Sequence, residues 1–200
     1  MLICLLRHGE TDWNNMGKFQ GREDVPLNMS GIEQAKEAAK FLKKFSWKAI
    51  VTSPLSRAKT TAEIVSKELS SPESGAVELH EEADFIERDY GKLSGTVSAE
   101  HDKYFPDENN TGIEPYESLQ KRTVTALLKY AKKYEGSNII IVSHGAAINS
   151  IMTYFENETD IQKTPIKNAS ITLLEKSDAG IKTLFFNKTA GELITPATAG

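Results

Sequence analysis

Two short apolar runs, each broken off by a His-Gly pair, constrain this chain more than any other feature: "LICLLRHG" at residues 2–9 and "IIIVSHG" at residues 139–145. Runs of four or five apolar residues without alternation read as strands buried on both faces, the pattern of parallel sheets covered by helices. "AIVT" at residues 49–52 reads the same way. In "SGIEQAKEAAKFLKKF", Ser30 and Glu33 form a capping box, and Ile32, Ala35, Ala39 and Leu42 keep helical spacing. Further helices are predicted over Ser56–Leu69, over Glu117–Tyr134 with a stripe of Leu119, Val124, Leu127, Leu128 and Ala131, and after His144 through Ile148, Ile151 and Met152. Late strands are predicted at 170–174 and 181–186. Strands alternating with helices imply a three-layer α/β/α sandwich around a mostly parallel sheet.

The 200 residues fit one domain, assigned to residues 1–190, with 191–200 as a loosely ordered tail. A net charge of −4 without any Lys/Arg block argues against a nucleic-acid partner. The one cysteine, Cys4, excludes an intrachain disulfide and suits a reducing compartment. Met1–Leu6 lacks the basic flank and length of a signal peptide, and no run approaches the roughly 20 apolar residues of a membrane span. A cytoplasmic setting without membrane attachment is therefore expected.

In open α/β sheets ligands bind beyond the carboxyl ends of the strands. Three such ends carry reactive groups: Arg7-His8, Ser53 to Arg57, and His144-Gly145. Gly9 permits close approach of a ligand and a positive φ, and Arg7 offers a planar fork of donors for phosphate or carboxylate. Arg57 stands near a helix start, where an anion is favoured, and a second helix start follows His144. A lone strand-end histidine or a single arginine is ordinarily structural; two strand–His–Gly units in one chain shift the balance toward a site. The loop "DFIERDYGKLSG" adds Glu87, a carboxyl group able to protonate a leaving oxygen.

Together "RHGETDWN", "TSPLSRAKTTAE", "ERDYGKLSG" and "SHGAAIN" resemble, in order and approximate spacing, the histidine phosphatase superfamily, also called phosphoglycerate mutase-like. The resemblance covers roughly residues 1–175 and implies that His8 becomes phosphorylated. It implies further that Arg7, Arg57 and His144 surround the phosphoryl group, that Asn14 adds a hydrogen bond, and that Glu87 is the proton donor; in the electrostatics of the site His144 is taken as protonated. The chemistry agrees: a neutral imidazole can attack phosphorus in line, and two guanidiniums and a second imidazole meet the charge with no metal or other cofactor. Activity is expected to favour mildly acidic to neutral pH.

Family mutases carry a long insertion over the site and a paired-arginine stretch. Between Gly95 and Glu117 this chain has only "TVSAEHDKYFPDENNTGIEPY", with no adjacent arginines, so a water-accessible phosphohistidine and a phosphatase are expected. "ERDYG" resembles the mutase form, in which Arg88 and Tyr90 would contact a substrate carboxylate. The expected partner is a small phosphorylated metabolite. A cofactor-dependent mutase is the alternative. A non-catalytic phospho-ligand module would have lost one of Arg7, His8, Arg57, Glu87 or His144, and all are present. A metal hydrolase would need a closely spaced His pair, which is missing, and its cation would be repelled by the arginines. Gln20 and Gly21 are assigned to the pocket rim and Gly145 to substrate binding. Glu10 is read as a partner for an arginine, Trp13 and Trp47 as packing residues, His80 and His101 as exposed, and Asn168–Ser170 as the approach to a strand.

Overall fold

The computed structural model describes residues 1–70, 76–97 and 112–194. Six strands, β1 (Leu2–Arg7), β2 (Ala49–Thr52), β3 (Glu78–Glu81), β4 (Ile139–Ser143), β5 (Ile171–Ser177) and β6 (Gly180–Lys188), form one sheet in the order β3-β2-β4-β1-β5-β6. The first four in this spatial order run parallel, while β5 pairs antiparallel with β1 and β6 with β5. The two residues between β5 and β6 allow only a hairpin, which accounts for the antiparallel end of the sheet. The helices are α1 (Asp12–Asn15), α2 (Met29–Leu42), α3 (Ser56–Leu69), α4 (Tyr116–Lys133), α5 (Gly145–Glu156) and α6 (Ala190–Ile194). No helix among the described residues is long and apolar enough to cross a membrane.

The continuous apolar runs are explained by burial on both faces. Ile3, Leu5, Val51, Ile139 and Ile141 pack with Val124, Leu127, Ile148 and Ile151 of α4 and α5. The alternate residues Cys4, Leu6, Ile50, Ile140 and Val142 pack with Ala38, Leu42, Ala58, Ala62 and Val65 of α2 and α3. The result is the expected three-layer sandwich.

Several local expectations are corrected. The N-cap of α2 is Asn28, whose side chain accepts from Gly31 N, so the Ser30–Glu33 box does not form; a capping box joins Thr11 and Asn14 instead. Leu128 is 43% exposed, because it sits about 100° round α4 from the buried Leu127. Strand β3 escapes the apolar-run criterion because "ELHE" is a short edge strand that alternates half-buried and exposed positions. Residues 191–194 of the expected tail belong to α6, which packs against the α2–α3 layer, and residues 195–200 lie outside the described residues, as does His101.

Gly9 serves a different purpose from the one its sequence context suggests. Its φ is not positive, and a Cβ there would lie 2.2 Å from the Gly31 carbonyl oxygen; a Cβ on Gly31 would lie 2.2 Å from the Glu10 carbonyl oxygen. The paired glycines let the start of α2 press on the loop after β1, next to His8. Gly9→Ala or Gly31→Ala is expected to destabilise the fold by about 3 kcal/mol, the upper range for overpacking, read as a lowered urea midpoint. A stability equal to that of the unsubstituted chain would contradict this packing.

Candidate active site

Register brings the reactive strand ends level. Arg7 pairs with Ser143 across β1 and β4, and Thr52 pairs with Val142 across β2 and β4. One step further on, His8 N donates to the Ser143 carbonyl at 3.0 Å, and Ser53 N donates to the Val142 carbonyl at 3.0 Å. His8, His144 and Ser53 therefore stand side by side. Strand β3 ends level with β2 at Glu81–Thr52, and a 3-10 turn over Ala83–Phe85 carries its chain to Glu87.

The His8 carbonyl is anchored by Ala169 N at 3.1 Å and Asn168 Nδ2 at 3.3 Å. Its ring Nδ1 lies 2.6 Å from the Gly9 carbonyl oxygen. A carbonyl only accepts, so Nδ1 carries the proton and Nε2 is left with a bare lone pair, the form a nucleophile needs. The His144 ring centroid is 5.2 Å from that of His8, and its Nε2 lies 2.7 Å from Ser53 Oγ. His144 is fully buried behind the cavity wall. Both imidazoles are pushed well below their ordinary pKa of 6.5, by burial first and then by the charges of Arg7 and Arg57. The expected protonated His144 is thus corrected: in the free site it is neutral.

That shift fixes a sign for stability. Below about pH 6.5 the unfolded chain takes up protons at these histidines and the native protein does not. Stability contributed by the two groups is complete above pH 6.5 and is lost as pH falls toward their folded pKa values. The slope is at most about 1.4 kcal/mol per pH unit for each. Urea unfolding between pH 5 and 8 is expected to show a shallower acid loss for His144→Gln than for the unsubstituted protein. Equal slopes would contradict the assignment.

Arg57 is 1% exposed on α3, and its guanidinium donates to the Glu23 and Gly21 carbonyls at 2.7 and 2.8 Å. Gly21 turns its carbonyl toward Arg57 through a left-handed backbone, φ +52°, where a Cβ would also crowd Tyr90 N at 3.1 Å. Burial lowers the Arg57 pKa to about 10, which leaves it charged at neutral pH. Arg7 Nη1 donates to the Ile166 carbonyl. The Nε of each arginine and Nδ1 of His144 are buried without partners.

Glu87 rests on the start of α5. Its carboxylate accepts from Arg88 N at 2.9 Å, Ala147 N at 3.2 Å and Ala146 N at 3.3 Å. A Cβ on Gly145 would sit at ordinary contact distance, 3.8 Å from Arg7 Nε and 3.9 Å from a Glu87 oxygen. Asn14 Oδ1 takes donors from Thr11 N, Thr11 Oγ1 and Asn168 Nδ2, each at 3.1 Å, so the Asn14 NH2 is the group left to donate.

Arg7, His8, Asn14, Arg57 and Glu87 line a cavity of about 430 Å3, whose wall also includes Gln20, Gly21, Arg88, Tyr90 and Gly145. Arg88 Nε donates to the Glu114 carbonyl, and its guanidinium lies 5.9 Å from the Tyr116 ring centroid. Tyr90 packs on Phe19 at 4.8 Å, and burial raises its phenol pKa, keeping it a donor. Among the described residues, no group of three or more His, Cys, Asp or Glu side chains is placed to hold a metal ion.

Other readings change. Glu10 meets no arginine; its carboxylate accepts from Asn15 and Asn28 at 3.0 and 2.9 Å. Asn168 is no mere approach to β5, since its amide ties His8 to Asn14. Trp13 lies off the cavity, its ring 3.4 Å from a Cβ placed on Gly95, and Trp47 is a buried packing residue that donates to the Leu42 carbonyl. His80 is half-buried, bonded to Tyr134 and Glu78.

Arg122 was invisible as a site residue. From α4 it forks onto Glu114 at 2.8 Å through both Nε and Nη2, and donates to the carbonyls of Asp84, Ile86 and Glu87. One side chain thus fixes the loop that carries Glu87. Its sequence signal is a charge three residues after Leu119, on the flank of an inward-facing stripe, where a cation needs partners. Arg122→Ala is expected to cost about 3 kcal/mol, as for breaking a buried pair. Arg122→Lys should recover little, because an ammonium cannot span both carboxylate oxygens and three carbonyls. Full stability of the Lys variant in urea unfolding would contradict the clamp.

The profile of the histidine phosphatase superfamily (branch 1) matches residues 3–189. The chain belongs to this superfamily. It is 42% identical to the uncharacterized phosphatase PhoE of Bacillus subtilis over 174 residues, covering 86% of this chain and 87% of that protein. It is 32% identical to the metal-independent phosphoserine phosphatase of Arabidopsis thaliana over 189 residues, covering 88% and 76%. Among solved histidine phosphatase structures, the phosphoserine phosphatase of Entamoeba histolytica in complex with 3-phosphoglyceric acid aligns over 94% of this chain and 97% of that one, with a TM-score of 0.78 and 30% identity.

Proposed function

We propose that this histidine phosphatase hydrolyses small acidic phosphomonoesters through a phosphohistidine on His8, without a metal or other cofactor. The observation that carries the reading is three nitrogen atoms among the buried polar atoms without partners, Arg7 Nε, Arg57 Nε and His144 Nδ1, on residues grouped around a histidine whose Nε2 is bare; Gln20 Oε1 and Asn149 Oδ1 on the same cavity are likewise unpartnered. Buried polar atoms are almost always paired, so such a cluster calls for an acceptor-rich ligand such as a phosphoryl group.

In the first half-reaction His8 Nε2 forms a bond to phosphorus as the ester P–O bond breaks. The leaving alkoxide takes the proton of Glu87. In the second, the Glu87 carboxylate takes a proton from water, the resulting hydroxide attacks phosphorus, and the P–N bond breaks. Inorganic phosphate leaves, and both side chains regain their starting forms. Arg7, Arg57, His144 and the Asn14 amide hold the phosphoryl oxygens. Gly145 lies in the cavity wall at the start of α5.

Arg88, Tyr90, Gln20 and Gly21 form the part of the wall that receives the alcohol portion. A guanidinium and a phenol there favour a substrate carboxylate. The relatives named for phosphoserine and the 3-phosphoglyceric acid complex support the same class. Between Gly95 and Glu117 the sequence has no adjacent arginines, which favours hydrolysis over isomerisation; residues 98–111 of that segment lie outside the described residues. The buried Cys4, its thiol pKa raised by burial, suits a reducing, cytoplasmic setting. A phosphate-release screen over phosphoserine, 3-phosphoglycerate, sugar phosphates and nucleotides, run beside a mutase assay with 2,3-bisphosphoglycerate, tests the reading. Release from the acidic monoesters without isomerisation is expected. Isomerisation that outpaces release would make the chain a mutase.

A further inference from the structure

Two imidazoles stand with ring centroids 5.2 Å apart, yet they are anchored through opposite nitrogens. His8 is held by Nδ1, which donates to Gly9 O, and it presents Nε2. His144 is held by Nε2, which meets Ser53 Oγ at 2.7 Å, and its Nδ1 is buried without a partner. Which way the Ser53 contact runs decides what His144 offers.

The Ser53 hydroxyl is fully buried and already accepts from Leu55 N at 3.3 Å. Among the described residues, the contact recorded for its own hydrogen is His144 Nε2. The neighbouring Thr52 hydroxyl turns away and donates to the Ser53 carbonyl at 3.1 Å, so it does not compete. If His144 instead donated through Nε2, the serine hydrogen would be stranded in the core. Nδ1 would then be a bare lone pair, unable to bond a phosphoryl oxygen. Of the partnerless buried atoms on cavity-lining residues, Arg7 Nε and Arg57 Nε are donors, while Gln20 Oε1 and Asn149 Oδ1 are acceptors. A donor at His144 Nδ1 would join the two guanidinium donors, and a lone pair there would oppose the phosphoryl group.

We propose that Ser53 is a positioning residue: by donating to Nε2 of His144 it holds the proton of that imidazole on Nδ1, so that His144 meets the phosphoryl group as a neutral hydrogen-bond donor. His8, locked by the Gly9 carbonyl, meets it as a lone pair. The same tautomer thus serves opposite purposes in the two rings because each is tethered by a different edge. The inference rests on the phosphoryl-binding reading of the site, but its test is made on the protein without substrate.

The test is long-range 15N–1H correlation on 15N-histidine-labelled protein at pH 7.5, where four histidines give four resolvable ring patterns. His8→Asn and His144→Gln supply the assignments. In the unsubstituted protein both His8 and His144 are expected as Nδ1–H tautomers. In Ser53→Ala the His144 pattern is expected to move toward Nε2–H while that of His8 stays. Phosphate release by that variant should fall about tenfold in kcat with a smaller change in KM, a milder loss than the roughly hundredfold typical of deleting an oxyanion donor outright. An Nε2–H tautomer at His144 in the unsubstituted protein overturns the proposal, as does an unchanged His144 pattern in Ser53→Ala. The first of these holds even if the variant fails to fold. Absence of phosphate release by the unsubstituted enzyme bears on the hydrolysis reading alone and leaves the tautomer assignment to stand or fall by the spectra.

Discussion

His8→Ala is expected to lower phosphate release by at least about 10^4-fold, the scale on which removing a nucleophile acts when the remaining machinery cannot substitute for it. Among the described residues lining the cavity, His8 is the imidazole whose second nitrogen is tied to a carbonyl, leaving Nε2 unprotonated. Arg7 and Arg57 lower its pKa further, so the lone pair persists into mildly acidic solution. His144 cannot take over, since its Nε2 is engaged by Ser53 and a proton held on Nδ1 leaves no lone pair to attack. Retained turnover in His8→Ala would move the chemistry elsewhere. Phosphate or vanadate binding should survive in that variant, because Arg7 and Arg57 keep their own anchors on Ile166, Gly21 and Glu23.

Glu87→Gln is the second large effect, with a signature that separates acid catalysis from simple damage. The amide keeps the shape of the carboxyl and, with its oxygen in the place of Oε1, can still accept from Arg88 N and Ala147 N, giving up only the longer contact of Oε2 with Ala146 N. It cannot give a proton to an alkoxide. A loss of roughly 10^2–10^4-fold in kcat is expected for an alkyl phosphate. For an aryl phosphate such as 4-nitrophenyl phosphate, whose leaving group departs without a proton, phosphorylation of His8 should be nearly unaffected. Hydrolysis of the intermediate then becomes slow, because water has lost its base, and a burst of nitrophenol should precede a slow steady state. A uniform loss across both leaving groups, without a burst, would show that Glu87 only shapes the cavity.

The parts of the molecule legible in its sequence are those in which one segment carries its own signal. Strands β1, β2 and β4 announce themselves because both faces are buried, and their common direction already places Arg7-His8, Ser53 and His144 at one edge. What the sequence hides are contacts made between segments far apart in the chain. Asn168 reaches His8 across 160 positions, and Arg122 reaches the Glu87 carbonyl across 35. Gly9 looks like a ligand-approach glycine until Gly31 is seen pressed against it. Strand β3 is missed for a different reason: at the sheet edge its side chains need no apolar run, so "ELHE" carries no strand signal of its own. The expected protonated His144 is overturned by burial and by the neighbouring Arg57 charge, neither of which shows in its own segment.

The central claim is that phosphate passes through His8. Its most direct test is rapid quenching of the unsubstituted enzyme with a 32P-labelled monoester, followed by peptide mapping. An acid-labile, base-stable label on the peptide containing His8, absent from His8→Ala and accumulating in Glu87→Gln, is the expected result. Steady phosphate release with no label on that peptide, under conditions where Glu87→Gln also accumulates none, would contradict it.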